Sequence, residues 1–144
     1  MKKFFKVLFY LMIVSALVLI PSCSDSDDGG TPSDETIVTK YTYNLTSNQN
    51  YYIVDEFHCV DNGDNTYDVK TAYRHFFKNT SENYKNKTGQ ELINLIKTKS
   101  VTATTSKSGT QTSAATQPVK NSAGEVTWTY NIPAGMSYTV YYYE

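Results

Sequence analysis

Histidine, cysteine and neighbouring carboxylates are the side chains with chemistry to offer here, and they are few. The 144 residues hold two His, His58 and His75, and two Cys, Cys23 and Cys59. Both His fall in alternating runs, Tyr51–Val60 and Thr66–Phe77, which flank the turn-like Asp61-Asn62-Gly63-Asp64-Asn65. A hairpin follows, and its register decides what the His can do. Pairing Val60 with Thr66 brings Tyr51, Ile53, Phe57 and Cys59 beside Tyr67, Val69, Tyr73 and Phe77. It also sets Glu56 opposite Lys70, His58 opposite Asp68 and Tyr52 opposite Arg74. A slip of two residues, with Asn65 in a left-handed bulge, is the alternative. In the first register the two His lie on opposite faces and cannot share a metal. His58 then reads as a surface partner of Asp68, and His75 as a partly buried aromatic. Asp55 and Glu56 are adjacent on a strand, point to opposite faces and make no acid–base pair. The Asp61–Asn65 loop has oxygen ligands suited to calcium, but not the spacing of an EF-hand loop. No serine sits in a nucleophile elbow and no glycine-rich phosphate loop is present. The expected catalytic, metal and cofactor sets are therefore empty.

Cys23 stands in a different context. Lys2, Lys3 and Lys6 precede an apolar run, Val7–Ile20, that is shorter than the roughly 20 residues a spanning helix needs. This is the anatomy of a signal peptide over residues 1–22. Ile20-Pro21-Ser22-Cys23 resembles the lipobox of bacterial lipoproteins, with Ile20 where Leu is usual and Pro21 where a small residue is usual. The resemblance implies cleavage before Cys23, acylation of its thiol and anchorage in the bacterial outer membrane. Asp25, Asp27 and Asp28 are similar to the acidic export signal of surface lipoproteins of Bacteroidota-type bacteria. They read equally as a hydrated spacer. The implied location is the cell surface in the first case and the periplasmic face in the second. A lipidated Cys23 leaves Cys59 unpaired, at an apolar alternation position where a small buried hydrophobe is expected.

Residues 23–35 carry Asp, Glu, Gly and Ser without a large apolar side chain, as a tether does. Residues 36–144 make one domain. The whole chain has 13 basic and 14 acidic residues. Setting aside the signal lysines and the tether acids leaves residues 36–144 close to neutral, with no electrostatic footprint for nucleic acid.

Twelve of the 13 Tyr lie beyond residue 36, with Trp128 and three Phe. That enrichment favours strands. A first strand is expected over Thr36–Leu45, with Ile37, Thr39, Tyr41, Tyr43 and Leu45 on one face. A turn at Ser47–Asn50 leads to the hairpin described above. Thr88-Gly89-Gln90-Glu91 is a capping box, and Leu92, Ile93, Leu95 and Ile96 follow at helical spacing. Lys97 and Lys99 suit the helix C-terminal end. Val101–Thr105 has the composition of an edge strand, and a second weak strand is expected near Gln117–Lys120. Ile132-Pro133-Ala134-Gly135-Met136 fits a three-residue hairpin loop. It would pair Tyr130 with Tyr138 and Trp128 with Val140, leaving Tyr141 and Tyr143 exposed on the far face. The expected fold is mainly β (α+β): an antiparallel sheet built from hairpins with one packed helix, or alternatively a β-sandwich.

Tyr52, Tyr141 and Tyr143 are placed to form an aromatic surface for sugars or protein side chains; the competing reading is ordinary cross-strand packing. The anchor, these rings and the thin catalytic inventory lead to the expectation of a non-enzymatic envelope module that binds a glycan or a protein. A small hydrolase or inhibitor-like protein working through residues 100–124 is one alternative. A structural lipoprotein assembling through β-edges is another.

Overall fold

A computed structural model of the chain describes residues 35–45 and 50–144. The signal segment, Cys23, Asp25, Asp27, Asp28 and most of the Ser47–Asn50 turn lie outside the described residues. In chain order the elements are β1 (Ile37–Asn44), β2 (Tyr51–Asp61), β3 (Thr66–Lys78), α1 (Gly89–Lys97), β4 (Thr105–Thr110), β5 (Ala115–Lys120), β6 (Val126–Ile132) and β7 (Ser137–Tyr143). The fold is mainly β, α+β, with seven strands in one sheet and α1 packed against β1 and β2. Among the described residues no helix is long and apolar enough to cross a membrane.

The sheet is mixed, not wholly antiparallel. β1, β2 and β3 form an antiparallel meander. β6 and β7 then both run parallel to β3, one after the other: Tyr67 pairs with Tyr130, and Phe77 with Tyr143. The expected hairpin between β6 and β7 therefore does not form. Pro133-Ala134-Gly135 is a bend between two collinear strands, with Gly135 at φ 83. The true hairpin is longer. β4 pairs with β7 and β5 with β6 in one continuous antiparallel register, Thr105↔Tyr142 through Ala115↔Ile132. It turns at Asn121–Gly124, where Asn121 Oδ1 accepts the Ala123 and Glu125 N–H groups. Local composition supports either turn; the choice rests on β3, whose long edge accepts β6 and β7 end to end.

Several strands are interrupted along one line. In β2–β3 the register shifts between His58 and Cys59, so Lys70 is the extra residue of a bulge. Pro133–Gly135 breaks β6 from β7 at the same level, and Gln111–Ala114 breaks β4 from β5, with Gln111 and Gly135 bonded across the gap at 2.8 Å. This crease exchanges the buried face of the sheet. On one side of it Val54 and Phe77 face α1, with Tyr84, Leu92, Ile93 and Tyr143. On the other side Cys59, Tyr67 and Val69 face the opposite way, joining Phe57, Ala72, Met136 and the ring of Trp128. That second face is closed by curling. The Lys40 ammonium of β1 lies 4.3 Å from the Tyr67 ring and 5.0 Å from Trp128. In a flat sheet β1 and β6 would stand about 14 Å apart, three strand spacings.

The crease corrects the hairpin register. Near the loop, Cys59↔Val69 and Asp61↔Tyr67 match the two-residue slip, with Asn65 at φ 62. Beyond the bulge the parity flips, so Tyr73 and Phe77 do not share a face with Tyr67 and Val69. Glu56 lies opposite Tyr73, His58 opposite Thr71 and Tyr52 opposite Phe77, not opposite Lys70, Asp68 and Arg74.

α1 begins as the sequence implies. Thr88 accepts the Glu91 N–H, and the Glu91 carboxylate accepts the Thr88 N–H at 2.7 Å, a cap that contributes about 1 kcal/mol. Leu92 and Ile93 are buried on the sheet. Gly89 lies against the ring of Tyr43, where a Cβ would overlap the ring carbons. The Ser/Thr-rich segment is ordered as β4 and β5 at the sheet edge, with β4 beginning at Thr105 rather than Val101. Pro118 is tolerated within β5 because that strand has a neighbour on one side only.

Candidate functional site

The register beyond the crease gathers titratable and aromatic side chains under α1. Tyr41 pairs with Glu56, Glu56 with Tyr73, and His75 with Tyr141. All therefore project from one face. Both His sit on this face, contrary to the expectation that they lie on opposite ones. Glu56 stands between them. His58 Nε2 is 2.7 Å from its Oε1, His75 Nε2 is 3.3 Å from its Oε2, and His75 Nδ1 is 2.9 Å from the Tyr143 hydroxyl. With both imidazoles donating to the carboxylate, Nδ1 of His75 accepts the Tyr143 O–H. His75 is only 4% exposed, and every one of its polar side-chain atoms is engaged.

Burial alone would raise the Glu56 carboxyl, but the hydrogen bonds from His75 and His58 outweigh it and hold the group below the ordinary carboxylate range. The Tyr143 phenol is pushed up to about 12, first by burial and then by the neighbouring Tyr141, Glu56 and Tyr84. Rings stack across β3 and β7 in a ladder. His75 lies 5.4 Å from Tyr141 at 23°, Tyr141 lies 6.1 Å from Tyr73 at 24°, and Tyr143 lies 4.5 Å from Phe77 at 12°.

Facing this ladder across a cleft of about 550 Å³ is the end of α1, with Ile96, Lys97, Lys99 and Val101. The Lys97 ammonium lies 5.1 Å from the Tyr41 ring. Lys99 follows the C-cap Thr98 with φ 53. Its N–H bonds the Ile96 carbonyl, and the Ser100 N–H bonds the Leu95 carbonyl, both at 3.0 Å. This is a Schellman motif, whose left-handed residue is usually glycine. An L-residue there costs about 1–2 kcal/mol. Thr98 donates to the Asn94 carbonyl through both N–H and hydroxyl. The Asn94, Leu95 and Ile96 carbonyls are thus satisfied without the lysine side chains. Among the described residues, neither Lys97 nor Lys99 takes part in an ion pair.

The three tyrosines expected to form a surface do share this face, but not as an exposed platform. Tyr143 is buried beneath the helix side of the cleft, and Tyr52 and Tyr141 are half-buried against the same core. Tyr141 and Tyr143 line the cleft; Tyr52 does not. Asp55 and Glu56 face opposite ways, as alternation requires. Asp55 is held on the other face by a two-pronged bond from Arg74, at 2.6 and 2.8 Å. Cys59 is free and fully buried, and burial pushes its thiol up to about 11.

The Asp61–Asn65 loop spends its carboxylates on its own backbone. Asp61 accepts the Gly63 N–H at 2.8 Å and Asp64 the Thr66 N–H at 3.1 Å. Among the described residues no group of three or more His, Cys, Asp or Glu is placed to hold a metal ion. Ser106 of β4 stands beside Tyr141, but among the described residues no serine, threonine or cysteine lines the cleft. Sequence reasoning missed Glu56 as the bridge between the two His, and missed Tyr41, Tyr73, Lys97 and Lys99 as cleft residues. Lys97 and Lys99 were legible as the basic end of α1, but their place at the cleft was not. The bridge depends on the Lys70 bulge, which nothing local to Lys70 marks. No family model matches the chain, and no curated protein or solved structure shows significant similarity to it.

Proposed function

We propose that the chain is a lipid-anchored protein of the bacterial cell envelope, moored in the outer membrane through Cys23, whose domain is a non-enzymatic binding module. The ligand site is the cleft between α1 and the ring ladder. The observation that carries this reading is the lining of that cleft: tyrosine rings and hydroxyls on one wall and, on the other, two ammonium groups without a carboxylate partner among the described residues. Concave sites with a few convergent polar groups favour a small or extended ligand over a flat protein face, so a glycan is preferred to a protein partner. The test is direct binding of the full chain to an oligosaccharide panel, with Tyr141→Ala as the altered site. Binding that persists unchanged in that variant would move the site elsewhere.

A second reading, a small hydrolase, draws on the Glu56–His58 pair. A carboxylate orients an imidazole that is about one-third exposed at the cleft, the arrangement of a held general base. Hydrolysis of a saccharide or ester substrate that is abolished by His58→Ala would favour it. Assembly through the β4–β5 edge has less support, because that edge carries Lys107 and Pro118, residues that blunt edge pairing.

A further inference from the structure

The cleft presents positive charge and hydroxyls, and its one carboxylate is already occupied. Both oxygens of Glu56 accept bonds from imidazoles, so they are not offered to a ligand. Lys97 and Lys99 line the opposite wall with no carboxylate partner among the described residues. Neither side chain caps α1, whose Asn94, Leu95 and Ile96 carbonyls have other donors. Lys99 moreover occupies a left-handed position that glycine would fill without strain. A strained residue aimed at a cavity is the pattern of a functional position. The hydroxyls of Tyr41, Tyr73 and Tyr141 likewise have no hydrogen-bond partner among the described residues, although each residue lines the same space.

We infer that the cleft takes a saccharide bearing carboxylates, a uronic-acid chain, with Lys97 and Lys99 pairing the carboxylates and the tyrosine hydroxyls bonding the sugar hydroxyls. This rests on the binding reading given above and narrows it to an anionic class. Both lysines are exposed at the mouth of the cleft, so their attraction to a carboxylate is screened by salt, which gives the proposal a direct readout. The ring ladder excludes water from one side, and the ammonium of Lys97 is already held over an aromatic face.

The experiment uses the full chain in non-ionic detergent and isothermal titration calorimetry. The probes are oligogalacturonate, oligomannuronate and oligoglucuronate, their methyl esters, and neutral cello-, xylo- and manno-oligosaccharides. At least one uronate is expected to bind. Its methyl ester should bind at least tenfold more weakly, and 500 mM salt should weaken the acid form at least tenfold relative to 50 mM. Lys97→Gln and Lys99→Gly should each weaken binding several-fold with an unchanged circular dichroism spectrum. Equal binding of acid and ester would overturn the anionic inference and leave saccharide binding standing. Neutral oligosaccharides that bind, and are lost with Tyr141→Ala, while no uronate binds, would do the same. Wild-type affinity in both lysine variants would overturn it too. No binding to any probe would sink this inference and the saccharide reading together.

Discussion

Replacing Lys99 by glycine should stabilise the domain while weakening its cleft. Lys99 holds φ 53 in the Schellman turn that ends α1, and relieving an L-residue of that conformation returns about 1–2 kcal/mol. Glycine also gives the unfolded chain more freedom, which offsets about 0.4–1 kcal/mol. The net gain is about 0–1.6 kcal/mol and centres on about 0.8 kcal/mol, a rise in melting temperature of about 3–6 °C for a domain of this size. Thermal melts and urea titrations of the full chain read it, with an unchanged urea slope showing that native compactness is preserved. Lys99→Ala is the control: it keeps the left-handed backbone strained and removes the side chain beyond Cβ, ammonium included. Its stability should stay within about 0.5 kcal/mol of the parent, while its loss of uronate binding matches that of Lys99→Gly. A glycine variant that melts at or below the parent temperature, with the same slope, would refute the reasoning. The lysine side chain would then contribute more to the native state than its backbone costs.

Four other outcomes are expected. The ionised Glu56 carboxyl, depressed below its ordinary value of 4.5, contributes stability that is complete above about pH 4.5 and is lost as pH falls through the lower folded value. Glu56→Gln should therefore destabilise by about 1–3 kcal/mol at pH 7 and flatten the acid limb of a stability–pH plot; superimposable acid limbs would contradict the His58–Glu56–His75 bridge. Tyr143→Phe removes the donor to Nδ1 of a His75 that is 4% exposed, a loss of about 1–3 kcal/mol in urea titration. Cys59, buried and with its thiol raised to about 11, should resist a maleimide at pH 8 until denaturant is added; rapid labelling mapped to Cys59 itself, and not to Cys23, in the native chain would place it at the surface. Intact mass spectrometry of chain recovered from membranes should find Cys23 acylated and N-terminal, and a fatty-acid-free mass would end the anchored reading.

Local pattern carries much of the fold. The capping box at Thr88–Glu91, the hydrophobic helix behind it, the extent of β1–β3, the mainly β class and the weak strand near Gln117–Lys120 all appear in the structure. Even the alternation along β6 and β7 assigns Tyr141 and Tyr143 to one face and Tyr130 and Tyr138 to the other, although the expected pairing partner is not the one found. The failures share one cause. Local pattern cannot tell which distant edge a strand will join, and Pro133-Ala134-Gly135 makes an equally good hairpin loop and a bend between collinear strands. The bulge at Lys70 is similarly silent, because a lone lysine in an alternating run looks like an outward-facing residue. One extra residue there reverses parity, and it is this reversal that brings His58, His75 and Glu56 together. The site was illegible for the same reason that the topology was.

β7 is synthesised after the other described strands, yet it lies between β3 and β4. A growing chain that has not reached Tyr143 therefore leaves β4 without a partner and one edge of β3 open along Thr71–Phe77. The meander of β1–β3 and the helix can gather early, but the sheet closes only when this late segment inserts between elements already in place. Such long-range pairing is slow. For a polypeptide that crosses a membrane before it folds, as the proposed export requires, that delay keeps the chain threadable until β7 has crossed.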